Sequence, residues 1–221
     1  MFDNIAGRYD FLNRVLSLRI DVAWRNKAIR ILKSYKPAHV LDVACGTGDF
    51  SIAALKSGAS QVTGVDISEK MLEAGRVKLR DKQLNDRITL LSGDSEQLQF
   101  DTGTFDAATV AFGVRNFEQL DKGLEEMFRV LKPGAPVVIL EFSKPRVFPV
   151  KQLYHFYFST ILPLIGRLVS GDARAYTYLF ESVSAFPEGE AFLSHLRKAG
   201  FKNCQVKRLT FGICSLYSGE K

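Results

Sequence analysis

A chain of 221 residues, 46% of them hydrophobic, can bury a substantial core and suits one α/β domain with additions better than two domains. Three scattered cysteines (Cys45, Cys204, Cys214) without C-x-x-C spacing argue against a disulfide framework or a zinc site and for a reducing cytoplasm, and no apolar h-region marks a signal peptide. The net charge of +6 is concentrated in residues 1–36, where eight Lys or Arg stand against three acids. That basic entrance reads as a solvated helical face, a nucleic-acid contact or an anionic membrane contact.

Residues 4–16 place Ile5, Tyr9, Leu12, Val15 and Leu16 at helical spacing, and Val22 to Leu32 repeats the pattern with Ala23, Trp24, Ala28, Ile29 and Leu32. Ser17 is positioned to stop the first helix and Asp21 to cap the second, with Trp24 as a core anchor. Lys36-Pro37 ends the second helix, because proline disfavours αR in the residue before it. Residues 40–50, V-L-D-V-A-C-G-T-G-D-F, then read as a buried strand, a glycine turn and the start of a helix. A second strand ends in Q-V-T-G-V-D at Asp66, Ser68 caps a helix Glu69–Leu79, and Ile88–Leu91 is a third strand. Phe105–Phe112 is the fourth strand, Leu120–Leu131 the next helix, and Pro136–Phe142 the fifth strand.

Continuous apolar strands separated by helices specify a parallel sheet covered on both faces. Asn203–Leu209 and Gly212–Ser218, joined by two or three residues, form a closing hairpin that must be antiparallel. Between the fifth strand and the hairpin, Gln152 to Gly166 carries no Lys, Arg, Asp or Glu over fifteen residues and is broken by Pro163. That is shorter than the roughly 20 residues of a membrane-spanning helix. It is a buried insertion helix, a lid over an apolar pocket, or a surface that dips into a membrane interface.

The glycine turn is the candidate ligand site, since glycine takes positive φ cheaply and lets a ligand lie against backbone. Ser51 occupies the place where a G-x-G-x-x-G fingerprint wants its third glycine, which weakens a pyrophosphate reading. Asp42 sits four residues before Gly46, placed to reach a cationic group over the turn, and Asp66 emerges at a strand end to accept ribose hydroxyls. An acid for a cation and an acid for a ribose fit a sulfonium nucleoside. Asp94 and Ser95 fall at the end of the third strand, where Asp94 is either an adenine-amine acceptor or a simple turn acid.

Asp42-x-x-x-Gly46-x-Gly48 followed by Asp66 resembles the first motifs of S-adenosylmethionine-dependent methyltransferases with a Rossmann-like, seven-stranded sheet. Four further stretches narrow the resemblance: F-D-N-I-A-G-R-Y-D-F-L-N, F-G-V-R-N at 112–116, L-K-P-G with E-F-S-K-P at 131–145, and Y-T-Y-L-F-E-S-V-S-A-F-P at 176–187. Together they look like the C-methyltransferases of menaquinone and ubiquinone biosynthesis. The resemblance implies one methyltransferase domain over 1–221, with a helical cap at 1–36 and an apolar insertion or lid at 146–185. It implies an S-adenosylmethionine site at Asp42, Gly46, Thr47, Gly48, Asp66, Ile67, Asp94, Ser95 and Ala111, the last standing where some members have serine. The implied reaction is C-methylation of a polyprenyl hydroquinone, demethylmenaquinol to menaquinol, with the benzoquinol step of ubiquinone synthesis as the alternative.

Methylation at ring carbon requires the ring hydroxyl to lose its proton, so a base or a stabilising cation is needed. At the ligand edge after the fourth strand, Arg115 is a candidate to stabilise the phenolate or to polarise a water, Asn116 to orient it, and Tyr9 is a candidate hydrogen-bond partner. His155 and Asp172 are rival bases. An RNA or DNA methyltransferase using the basic N-terminal face is the competing class, but no N-P-P-Y-like tetrad follows the fourth strand. The expected partners are therefore a lipophilic quinol and an anionic membrane surface on the cytoplasmic side, with no nucleic acid, no metal, and room for a homodimer.

Overall fold

The computed structural model describes residues 20–157, 160 and 174–221. The expected helix over 4–16, and with it Tyr9 and Ser17, lies outside the described residues, as does Asp172.

Helix α1 (Ile20–Tyr35) leads into strand β1 (His39–Val43) and the short helix α2 (Asp49–Ala54). Then follow β2 (Gln61–Asp66), α3 (Glu69–Asp81), β3 (Ile88–Ser92), β4 (Ala107–Ala111), α4 (Leu120–Val130), β5 (Pro136–Phe142), α5 (Val150–Phe156), α6 (Arg174–Ala185), α7 (Glu190–Lys198), β6 (Lys202–Leu209) and β7 (Cys214–Glu220). The seven strands form one sheet in the order β3-β2-β1-β4-β5-β7-β6. The first five are mutually parallel, and β7 runs antiparallel to β5 and to β6.

Alternation along the strands divides the core into two layers, because successive side chains point to opposite faces. Leu41, Val43, Ala108, Val110, Val137 and Ile139 face one layer, filled by Leu124 and Met127 of α4 and Phe192 and Leu196 of α7. Val40, Ala107, Val138 and Leu140 face the other, filled by Trp24, Ala28 and Leu32 of α1, Phe50 of α2 and Leu72 of α3. Each such aliphatic or aromatic side chain, fully buried, contributes about 1.5 to 3 kcal/mol. Trp24 anchors α1 as expected, and its Nε1 donates to Thr210 Oγ1 at 2.8 Å.

Local chemistry sets the element ends. Ser68 caps α3 by accepting from the Met71 N–H at 3.3 Å. Lys36, before Pro37, leaves the helix at φ 49°. Asp21 is not a cap: it lies within α1, buried, and pairs with Arg25 one turn on. The fourth strand is shorter than its apolar run, because Phe105 only bridges to Leu131 and Phe112 turns out of the strand at φ 59°. In the hairpin, four residues rather than two or three join β6 to β7, since Thr210–Gly212 winds into a single 3₁₀ turn.

The order of strands places the ligand edge. From β1 the chain moves outward through β2 to β3, then returns to the other side of β1 at β4. The C-terminal ends of adjacent β1 and β4 therefore face connections that diverge, and a crevice opens between them.

Candidate functional site

That crevice is a cavity of about 220 Å³. Its wall comes from every parallel strand end but that of β5: Ala44 and Gly46 after β1, Val65 to Ile67 at the end of β2, Gly93 to Glu96 after β3, and Ala111 to Gly113 after β4, with Asn116 to Glu118 beyond. The strand ends are turned sharply to build it. Ala44 and Phe112, both non-glycine, hold φ of 52° and 59°, which marks strained backbone at a site. Gly113 is required where the two loops meet, because a Cβ there would stand 2.5 Å from the Ala44 Cβ. Gly46, at φ 56°, leaves its backbone open to the cavity, and a Cβ would crowd Met71 Cε at 3.3 Å.

Asp66 ends β2 with both oxygens engaged by backbone. The Gly46 N–H donates to Oδ2 at 2.7 Å and the Ser68 N–H to Oδ1 at 2.9 Å. These bonds lock the carboxylate plane at the cavity wall, and a carboxylate is an acceptor of the kind a ligand hydroxyl needs. Asp94 accepts from the Glu96 N–H at 2.8 Å, while Glu96 accepts from the Gln119 N–H at 2.6 Å and so joins the loop after β3 to the start of α4. Ile67 is 77% exposed on the cavity rim, an apolar surface with no burial of its own to explain it.

Four carboxylates (Asp66, Asp94, Glu96, Glu118) line the cavity, and among its described lining residues there is no Lys, Arg or His. Such a wall repels a pyrophosphate and attracts a cation. The donor set fits S-adenosylmethionine: an acid at a strand end for ribose hydroxyls, acids for a sulfonium and an amine, and exposed backbone at Gly46 for close approach.

Not every expected contact reaches the cavity. Asp42 lies beneath the turn, buried, accepting from Ser51 Oγ at 2.6 Å and Thr109 Oγ1 at 3.0 Å. Burial pushes its carboxyl up to about 6, and the hydroxyl hydrogen bonds pull it partly back. It ties β1, α2 and β4 together and is not among the cavity's lining residues, and Ser51, where a dinucleotide site has glycine, is its partner. Thr47 is buried and accepts from Lys78 Nζ at 2.8 Å, and Gly48 caps α2 at φ 79°. These three shape the turn from behind, while Gly46, Asp66, Ile67, Asp94, Ser95 and Ala111 line the cavity.

Arg115 does not present its charge to the cavity. Its guanidinium donates to Glu141 Oε1 at 2.8 Å, to the Phe112 carbonyl and to Ser182 Oγ at 3.3 Å, and lies 5.5 Å from the Phe142 ring centroid. The side chains of Arg115 and Glu141 are 6% and 0% exposed. The expected phenolate-stabilising cation is thus already neutralised inside the protein. Its neighbour Asn116 does line the cavity, and Tyr178 of α6 donates its hydroxyl to Asn116 Oδ1 at 3.0 Å.

Sequence reasoning missed Glu141, Tyr178, Ser182, Glu96 and Glu118. A visible signal existed for the first three: Glu141 is a carboxylate inside the apolar strand P-V-V-I-L-E-F, and Tyr178 and Ser182 stand four apart, on one helix face. Glu96 and Glu118 carried no pattern of their own. Of the rival bases, nothing described bears on the His155 side chain.

Comparison with known proteins agrees with this geometry. A model of the ubiE/COQ5 methyltransferase family matches residues 1–221. The demethylmenaquinone methyltransferase of Bacteroides fragilis is 49% identical over 222 residues, covering 100% of this chain and 91% of that protein. The ubiquinone/menaquinone biosynthesis C-methyltransferase UbiE of Geotalea daltonii is 48% identical, covering 100% and 94%. The fold is similar to that of Haemonchus contortus phosphoethanolamine N-methyltransferase 2, solved in complex with S-adenosyl-L-methionine, with a TM-score of 0.63 at 18% identity over 89% of this chain and 52% of that one.

Proposed function

Because the chain belongs to the ubiE/COQ5 methyltransferase family, we propose that it converts demethylmenaquinol to menaquinol by S-adenosylmethionine-dependent C-methylation of the quinol ring. The observation that carries the reading is the acidic cavity at the β1–β4 crevice, lined by carboxylates and open glycine backbone. When bound, S-adenosylmethionine supplies an electrophilic methyl group on a sulfonium.

The protein's own part is binding, orientation and exclusion of water. Asp66 would hold the ribose hydroxyls, Asp94 and Ser95 the adenine edge, Ile67 would offer an apolar face for the purine, and Gly46 and Ala111 the backbone-lined floor. Asn116, which lines the same cavity, would donate an amide N–H to the ring oxygen and so hold the phenolate oriented. Arg115 acts from behind, by fixing the loop that carries Asn116. Because a phenolate and a sulfonium neutralise each other during transfer, a water-poor pocket favours the transition state, and alignment of the reacting carbon with the methyl supplies much of the remainder.

The quinol is lipophilic, and we place the protein at the cytoplasmic face of an anionic membrane, peripherally attached. Support comes from the basic surplus in residues 1–36 and from Phe148 and Phe211, exposed by 77% and 73%. Among the described residues no helix is long and apolar enough to cross a membrane. Flotation with anionic liposomes at low salt, reversed by added salt, is the expected behaviour; equal binding to neutral liposomes counts against it.

The activity is tested with purified protein, S-adenosylmethionine and short-chain demethylmenaquinol or demethylated benzoquinol, following methyl gain by mass spectrometry. Methylation of the naphthoquinol ring is expected. Methylation of the benzoquinol alone moves the assignment to ubiquinone synthesis, and methylation of neither ring overturns the reading.

A further inference from the structure

Asn116 is an amide, and an amide has two ends with opposite hydrogen-bonding character: Oδ1 accepts and Nδ2 donates. Only the donor end suits an oxygen that gains negative charge as a hydroquinone loses its proton. The acceptor end turned the same way would repel that oxygen. Something must therefore select the orientation, and nothing in the 3₁₀ turn Val114–Asn116 does so from within, since the turn's own backbone bond runs from the Asn116 N–H to the Gly113 carbonyl at 2.9 Å.

The selecting group is supplied by α6. The Tyr178 hydroxyl donates to Asn116 Oδ1 at 3.0 Å, across 62 residues of sequence. One turn further along the same helix, Ser182 Oγ accepts from Arg115 Nε at 3.3 Å. Arg115 is itself held at Glu141, at the end of β5. The two adjacent loop residues are thus gripped by two helix residues four apart, with the ion pair as a fixed foundation beneath them.

We propose that Tyr178 is a positioning residue for methyl transfer, whose hydroxyl occupies Asn116 Oδ1 and so turns the amide N–H group toward the acceptor oxygen in the cavity. The inference rests on the reading of the cavity as the methyl-transfer site and assigns within it a residue acting through another. It also gives the helix after the apolar 152–166 segment a chemical task. A phenylalanine at 178 keeps the ring and its packing and removes only the hydrogen bond, leaving the amide free to rotate.

The experiment is a double-mutant cycle on the full chain: wild type, Tyr178→Phe, Asn116→Ala, and both together. Each is measured for single-turnover methylation of short-chain demethylmenaquinol, S-adenosylmethionine affinity by calorimetry, and thermal midpoint. Tyr178→Phe is expected to slow transfer roughly tenfold to a hundredfold, the range for a small misplacement of a reacting group. Its cofactor affinity and thermal midpoint should stay at wild-type values. In the Asn116→Ala background the same change should have no further effect, because the group being positioned is gone. Wild-type turnover in Tyr178→Phe, or losses that multiply in the double variant, overturns the proposal. So does a rate loss that tracks loss of cofactor affinity and thermal stability, which marks Tyr178 as a packing residue. Wild-type turnover in Asn116→Ala has a different signature and overturns the placement of Asn116 in the reaction together with this inference.

Discussion

Removing the guanidinium of Arg115 separates a structural cation from a catalytic one. Glu141 is fully buried and accepts three N–H groups: the Arg115 backbone at 3.2 Å, Arg115 Nη1 at 2.8 Å and the Phe142 backbone at 2.8 Å. In Arg115→Met the two backbone donors remain, but the carboxylate loses its counter-charge in a fully buried site. Breaking one side of a buried pair costs about 3 to 5 kcal/mol, a large share of a total stability of about 5 to 15 kcal/mol. Replacing both partners by apolar groups of similar volume removes the stranded charge, so Arg115→Met/Glu141→Leu should recover part of that loss, less the cost of the two backbone N–H groups that Glu141 accepts. Urea unfolding of the wild type, the two single variants and the double variant measures the coupling, with an unchanged m-value required for the comparison. If Arg115→Met unfolds at the wild-type midpoint, the guanidinium is not held by Glu141. Its charge is then available to the cavity, and direct phenolate stabilisation by Arg115 is restored as the mechanism.

Two further outcomes follow from the site. Asp66→Ala should weaken S-adenosylmethionine at least tenfold in calorimetry, since hydrogen bonds to a charged acceptor are worth about 1.5 to 3 kcal/mol each; unchanged affinity in a folded variant refutes the ribose assignment. Asp42, ordinarily ionising near 3.8, titrates at about 6 in the folded protein. As pH rises the unfolded chain therefore loses this proton first, and stability falls between about pH 4 and pH 6 by about 3 kcal/mol. Asp42→Asn should abolish that part of the pH dependence in denaturant titrations at about pH 4.5 and 7.5, and an unaltered slope refutes the burial argument.

Local pattern was enough to place most of the fold. Apolar runs mark β1, β2 and β5 within a residue or so, because a strand buried on both faces has no polar alternation to blur it, and the edge strand β3 shows instead as a short alternating run. Ser68 was legible as a cap since capping depends on one side chain and a backbone group three residues away. The glycine turn and Asp66 were legible for a similar reason: both act at a strand end, and strand ends on one edge of a parallel sheet share one crevice.

What only tertiary structure decided is where each charge is spent. Asp42 and Asp66 look alike in the sequence as acids beside a turn, yet Ser51 and Thr109 close over one while the cavity opens to the other. Arg115 and Asn116 are neighbours in F-G-V-R-N, and a carboxylate 26 residues on claims the arginine while a tyrosine 62 residues on claims the amide. Motif and periodicity report chemistry that is local along the chain. The partner that neutralises a charge or orients an amide is chosen by packing between distant elements, and burial makes that choice decisive, because inside the protein an ion or amide left without its partner is costly.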